Sequence, residues 1–399
     1  MTSTKQHSIL WLKVWGLASV QGAITLMWVI YNLYLTQLLT QFGFSKSFVV
    51  GVLVIENGLA AIVEPVVGSA SDRLQRTIGS RFPFIAAGAI WGSVLFIALP
   101  AIVILGGNWQ RAWHWVLPIA AIAWALAMTM VRSPALSLLG RYAFATRLPQ
   151  AASILTLVGA ITGAMAPLAN QVILQLGSAI TFAIGSAVLL GVTAVLRSVD
   201  PPTATPQSLA ENDTNSHISV ARLALVMGAG MGVAIGFRLM MQTFPQILKT
   251  QVSAANPNLI LGFIFIGIAL TAIPSGKLAT KIGNAPSMLL GLGSMVLGLL
   301  LLPLAHNAWF AGCLAFALGA VFSLVSNGTI PFALSMVPPS KAGLGTGIFF
   351  SGGAIGLSIF FSAFSEVAPT LGAIVGAGAF FVAGICVAFA SKPIAVPTS

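Results

Sequence analysis

Stretches of about 20 apolar residues recur from Trp11 almost to the end of the chain. As a helix each is long enough to cross roughly 30 Å of hydrocarbon, and no other feature limits the fold so strongly. Lipid offers no partners to backbone N–H and C=O groups, so such runs must become helices that satisfy themselves. Twelve spans are expected, near 11–37, 47–70, 83–106, 114–139, 150–175, 179–197, 221–246, 259–276, 285–304, 308–335, 343–364 and 370–390. With 6% charged and 57% hydrophobic residues, the chain lacks the polar surface a soluble protein needs. It is expected to be an all-α membrane protein, with the lipid bilayer as its partner.

The formal charge of +11 raises the question of nucleic acid, but the basic residues lie singly or in short groups between apolar runs, which argues against it. They read as topology signals. With a cytoplasmic N-terminus, the inside segments hold Lys5, Lys13, Arg73, Arg76, Arg81, Arg141, Arg147, Arg197, Arg222, Lys277, Lys281, Lys341 and Lys392. The outside segments hold Lys46, Arg111 and Lys249. This asymmetry predicts both termini on the cytoplasmic side. Residues 198–219, rich in Pro, Ser and Asn, are expected to form a cytoplasmic linker between six-helix halves at 1–197 and 220–399. The halves look like repeats: Gly68-x-x-x-Asp72-Arg73 after the second span is echoed by Gly276-x-x-x-Thr280-Lys281 after the eighth, with Gly79 and Gly283 following. Two parallel repeats with a site between them suit an alternating-access carrier.

The segment from Glu64 to Ala89 carries a more specific signal. Its G-x-x-S-D-R followed by a basic turn resembles the signature of the major facilitator superfamily. Pro65, Val66, Val67, Gly68, Ser71, Asp72, Arg73, Gly79, Arg81, Pro83, Phe84 and Ile85 resemble the corresponding stretch of the sucrose/proton symporters and the related glycoside–pentoside–hexuronide cation symporter group. The resemblance implies a major facilitator fold of twelve transmembrane helices in two six-helix repeats, with a small-molecule substrate and a proton or other cation as partners. It is close over about 25 residues. Thr77, Ser80 and Phe82 stand where that group's turn is richer in arginine, and the place of its fourth-helix acidic residue falls at Arg141.

The candidate cytoplasmic gate comprises Gly68, Asp72, Arg73, Arg76, Arg81 and Lys281, with Asp72 expected at a helix N-terminus of the other half, Gly343 being the candidate partner. Ionisable residues inside spans cost roughly 2.5–3.5 kcal/mol each at a helix centre on insertion scales, so Glu56, Glu64, Arg132 and Arg238 each need a reason. Glu64 and Arg132 lie at similar depth and are expected to form a structural ion pair. Glu56 and Arg238, one in each half, are expected to pair and part during transport, with Glu56 as the proton switch. A carboxyl group holds its proton more tightly out of water and less tightly beside an arginine.

For substrate, Gln21, Thr25, Trp28 and Asn32 recur at steps of four, three and four on one face of the first span. Asn57, Arg238, Gln242, Ser323 and Asn327 are further lining candidates. Hydrogen-bonding groups beside an indole suit a sugar, and interhelical hydrogen bonding is the alternative use of the same residues. Cys313 and Cys386 fall inside apolar runs and suggest neither a disulfide nor a metal site. No cofactor is implied, and without a nucleophile, base and orienting group an enzyme is not expected.

The leading expectation is a secondary active transporter in a bacterial cytoplasmic membrane, carrying a sugar or related polar solute with a proton. An exporter of amphipathic or anionic compounds and a non-transporting pigment or assembly factor of the same fold remain as alternatives.

Overall fold

A computed structural model describes residues 9–106, 114–201, 219–251 and 256–392. The first half contributes α1 (Trp11–Gln41), α2 (Lys46–Ile78), α3 (Phe82–Leu105), α4 (Val116–Ser137, continued as Leu139–Tyr142), α5 (Leu148–Gly163) and α6 (Ser178–Val199). The second contributes α7 (Val220–Gln251), α8 (Pro257–Ile282), α9 (Asn284–Leu300), α10 (Ala308–Ser335), α11 (Ala342–Ile359) and α12 (Pro369–Ala390). Among the described residues, 11 helical segments are long and apolar enough to cross a membrane. The remaining apolar helix, α9, has 17 residues and runs on into a 3-10 turn at Leu302–Leu304.

Three boundaries depart from the sequence expectation. The helix α2 does not stop near residue 70 but continues through Asp72, Arg73 and Arg76, because nothing breaks it before Gly79. Gly79 closes the helix at φ 76°, donating its N–H to the Gln75 carbonyl, and Gly283 after α8 has φ 97°. Both glycines have a positive φ that side chains avoid, but Gly79, at ψ 4°, is left-handed helical whereas Gly283, at ψ 153°, is extended, so the two turns match in spacing and in their need for glycine and differ in backbone path. The fifth span ends its regular helix at Gly163 and proceeds as short helical pieces, Met165–Leu168 and Asn170–Gln175. Pro167 accounts for the break, since its ring meets the carbonyl four residues back. The sixth span also runs past its expected end near residue 197: Ser198 and Val199 belong to α6. Asp200 is held by Lys13 Nζ at 2.8 Å and by the Tyr142 hydroxyl at 2.7 Å, while residues 202–218 lie outside the described set.

One hydrophobic core is drawn from α1–α6 and a second from α7–α12, with Ile330 reaching into the first and Ala160 into the second. The bundles meet along two seams, α2 against α11 and α5 against α8. Glycines permit the close approach: Gly347 faces the Glu64 backbone across the α2–α11 seam, and within the second half Gly352 sits on the Met227 carbonyl of α7. The Ser351 hydroxyl donates to the Ala61 carbonyl at 2.5 Å, and Ser358 donates to Val54 at 3.1 Å. Because the helices alternate in direction, the bundle face carrying Gly79 and Gly283 also collects the starts of α5 and α11 and the ends of α4 and α10.

Candidate functional site

On the Gly79 face, the two halves are joined by Asp72. Its Oδ1 accepts from the Gly343 N–H and its Oδ2 from the Leu344 N–H, both at 2.8 Å, so the carboxylate clasps the N-terminus of α11 as expected. Unsatisfied amides and the helix dipole both favour a negative charge there. Arg81 Nη2 reaches Asp72 Oδ1 at 2.5 Å and Arg81 Nη1 donates to Ser137 on α4. Burial pulls the Arg81 guanidinium below its ordinary value, and Asp72 opposes that shift. Gly68 abuts the Gly343 carbonyl, where no larger residue fits. Arg73 and Arg76 are exposed, Arg76 adding a longer-range attraction to Asp72.

The second seam repeats the approach without the charge. A Cβ at Gly276 would lie 3.0 Å from the Pro149 carbonyl near the start of α5, as Gly68 meets Gly343 near the start of α11. Thr280, at the place of Asp72, donates to its own Gly276 carbonyl at 2.9 Å. Pro149, opposite, has no N–H to offer. Lys281 is exposed and makes no ion pair among the described residues.

Between the bundles, α1, α2, α4, α7 and α11 enclose a cavity of about 410 Å³. Trp28, Phe349, Phe350, Phe361 and Met128 supply much of its wall, and Asn32, Glu56, Asn57, Thr129, Arg132 and Arg238 its polar groups. Arg132 is paired with Glu64: Nε donates to Glu64 Oε1 at 3.1 Å, Nη2 makes a second bond, and the guanidinium lies 4.5 Å from the Phe350 ring centre. Glu64 is fully buried, whereas the Arg132 side chain is 25% exposed, so the arginine faces the cavity and the carboxylate backs it. Arg132→Met should therefore cost about 2 kcal/mol, below the roughly 3–5 of a pair closed off on both sides, by stranding Glu64. Thermal unfolding in nanodiscs checks this: the double variant with Glu64→Gln should melt above the single one.

The expected Glu56–Arg238 pair is not formed. The Tyr31 hydroxyl donates to Glu56 Oε2 at 2.6 Å, leaving Oε1 buried without a partner. Tyr31 in turn lies 4.3 Å from the Trp124 ring and 5.7 Å from Trp28, centre to centre. Arg238 stacks instead over Phe360 and Phe361 at 5.2 and 5.4 Å. These rings are presented by a π-helical turn, Phe360–Phe364, where α11 widens. Arg238 is open to the cavity and has no carboxylate partner among the described residues.

The remaining candidates are dispersed. Asn32 and Asn57 line the cavity while donating to the Trp28 and Leu53 carbonyls of their own helices, at 2.7 and 2.8 Å. Gln21 and Thr25 lie in a second cavity of about 240 Å³. Three others do not face either cavity. Gln242 donates to the Phe364 and Ser365 carbonyls at the end of the π-turn, at 3.3 and 2.9 Å. Ser323 bonds with Thr271 and Ser275 of α8 at 2.9 and 2.6 Å, and Asn327 donates to Ala272 at 2.8 Å, both fully buried. Arg141, at the place of the symporters' acidic residue, donates to Gln75 at 3.5 Å on the Gly79 face. Among the described residues no group of three or more His, Cys, Asp or Glu side chains could hold a metal ion.

Against known families, the model described as Major Facilitator Superfamily matches residues 17–361. The chain belongs to the Major Facilitator Superfamily. This makes it a secondary transporter by family rather than an enzyme. No curated protein matches it significantly in sequence. Among solved structures it is similar to a bacterial homologue of the iron transporter ferroportin in its outward-facing state, with a TM-score of 0.74 at 15% identity, covering 96% of this chain and 100% of that one. The same homologue with soaked iron gives 0.71 at 14%, covering 95% and 99%. The human organic anion transporter MFSD10 (TETRAN) gives 0.68 at 13%, covering 94% and 98%. At such identities these likenesses speak for the fold shared by major facilitator proteins.

Proposed function

We propose that this transporter carries small amphipathic organic anions by alternating access, together with a proton. The observation that carries the reading is Arg238: a guanidinium open to a largely apolar cavity, stacked on two phenyl rings and without a carboxylate partner among the described residues. An anion with an apolar body meets both features. The charges near the cavity support coupling. Arg132 and Arg238 are offset by Glu64 and Glu56, so an incoming anion leaves one uncompensated negative charge in a site largely removed from water. Glu56 is the carboxylate that lines the cavity, and taking up a proton there restores the balance. Exchange of the Tyr31 bond for an approach to Arg238 would link that proton to the cycle. The preponderance of basic residues on the Gly79 face supports its assignment to the cytoplasm, and the Asp72 clasp then corresponds to a closed inner gate.

The sugar reading keeps the resemblance around Gly68–Ile85 and the two asparagines in its favour. It is less well supported, because Gln242, Ser323 and Asn327 are spent on helix contacts and a sugar's hydroxyls each need partners.

Uptake into proteoliposomes tests the proposal. Labelled octane-1-sulfonate should enter saturably and faster with an inward-directed proton gradient, Glu56→Gln should remove the gradient dependence, and sucrose should not compete. Saturable, proton-driven sucrose uptake with no sulfonate flux would sink it.

A further inference from the structure

The second cavity is separated from the first by Phe350, whose ring borders both. It lies between the two halves, walled by Phe237, Phe265 and Phe322, with the polar groups of Gln21, Thr156 and Ser326 directed at it. These groups are poorly satisfied within the protein. Gln21 Oε1 is buried without a hydrogen bond, and the Thr156 and Ser326 hydroxyls have no partner among the described residues. Many hydroxyls of the spans are consumed by carbonyls of their own helices, as at Thr129, Thr193 and Thr243, whereas the Thr156 and Ser326 hydroxyls and the Gln21 amide oxygen, whose Nε2 donates to Thr25 at 3.4 Å, share one void. The adjacent residues Phe237 and Arg238 face the second and first cavities respectively.

We infer that the second cavity is a subsite for a neutral hydroxyl- or amide-bearing tail of the same anion whose charged head meets Arg238, with Phe350 as the partition the tail must pass. The inference rests on the anion reading and adds a requirement on the cargo's other end. Trp28 and Gln21, which border the two cavities, are seven residues apart on α1, about 10 Å along its axis and within reach of an eight-carbon chain. Both halves contribute to the subsite, Gln21 and Thr156 from one and Ser326 from the other. A bound tail would thus bridge the bundles at a second point.

The test compares octane-1-sulfonate with 8-hydroxyoctane-1-sulfonate in equilibrium binding to the full chain in nanodiscs. The hydroxyl should tighten binding roughly five- to tenfold, the worth of about one hydrogen bond. Thr156→Val, which keeps the side-chain shape, and Ser326→Ala should each reduce that preference, and together bring it near unity. Thermal unfolding in nanodiscs unchanged from the wild type shows that the variants fold, and the preference is read as the ratio of the two affinities within each variant. Equal affinities in the wild type, or a preference that survives the double variant, would overturn the subsite while leaving the anion reading intact. Absence of binding by either sulfonate would overturn both.

Discussion

Asp72→Asn is expected to shift the balance between closed and open Gly79 faces by roughly 30- to 150-fold toward open, corresponding to about 2–3 kcal/mol. The amide oxygen can still accept one N–H at the α11 terminus, but the second acceptor and the charge are gone. Arg81, 2% exposed, is left without its counter-ion against Ser137. The loss falls on the joined state seen in the structure, in which α11 presents Gly343 and Leu344 to the carboxylate. Spin labels at Ile78 and Ser335, both exposed at the Gly79 face, should report a new, longer distance, and transport should fall at equal expression. An unchanged distance distribution with unchanged flux would show that the clasp does not hold the gate.

Arg238→Met should weaken binding of octane-1-sulfonate by roughly 30- to 1,000-fold, about 2–4 kcal/mol, while preserving most of the side-chain volume. The large effect follows from where the guanidinium stands: among the described residues it lines the cavity with no carboxylate behind it, whereas Arg132 is already engaged by Glu64. Arg238→Lys should fall between, because an ammonium keeps the charge but not the plane that stacks on Phe360 and Phe361. Titration of the purified variants in nanodiscs separates the cases. A Met variant that binds the sulfonate as tightly as the wild type would remove the observation on which the anion reading depends.

The fold was legible because the chain repeats one signal: apolar runs of membrane length, separated by turns whose glycines recur at matching places. The Asp72–Gly343 contact was legible too, since a carboxylate where the second apolar run stops and a helix N-terminus at Gly343 in the other half are complementary without knowledge of side-chain rotation. Glu64 and Arg132 could be matched by depth alone, at about 1.5 Å per residue. Depth was insufficient for Glu56 and Arg238. Their pairing is pre-empted by a hydroxyl on α1 and by a π-turn, and sequence periodicity does not disclose where a helix widens. One signal for Tyr31 was available: the chain has 3 tyrosines, and a phenol in a span must find an acceptor. Ser323 and Asn327 share the i,i+4 spacing of a lining face, but the same spacing serves a helix–helix contact, and only the rotation of α10 against α8 decides between them.

The inequality of the two seams has a consequence for how such a molecule can be tuned. In the proposed cycle the α2–α11 side would serve as a latch, since a charge, two amides and a counter-ion are joined there. The α5–α8 side works as a bearing, where Gly276, Ser153 and Pro149 touch through surfaces that can slide without breaking a directional bond. On the proposed cycle, resistance to opening would be concentrated at one corner of the Gly79 face. A single exchange at that corner, as from Asp72 to the threonine found at position 280, would then alter how readily the halves part while leaving every residue that lines the proposed cargo cavity in place.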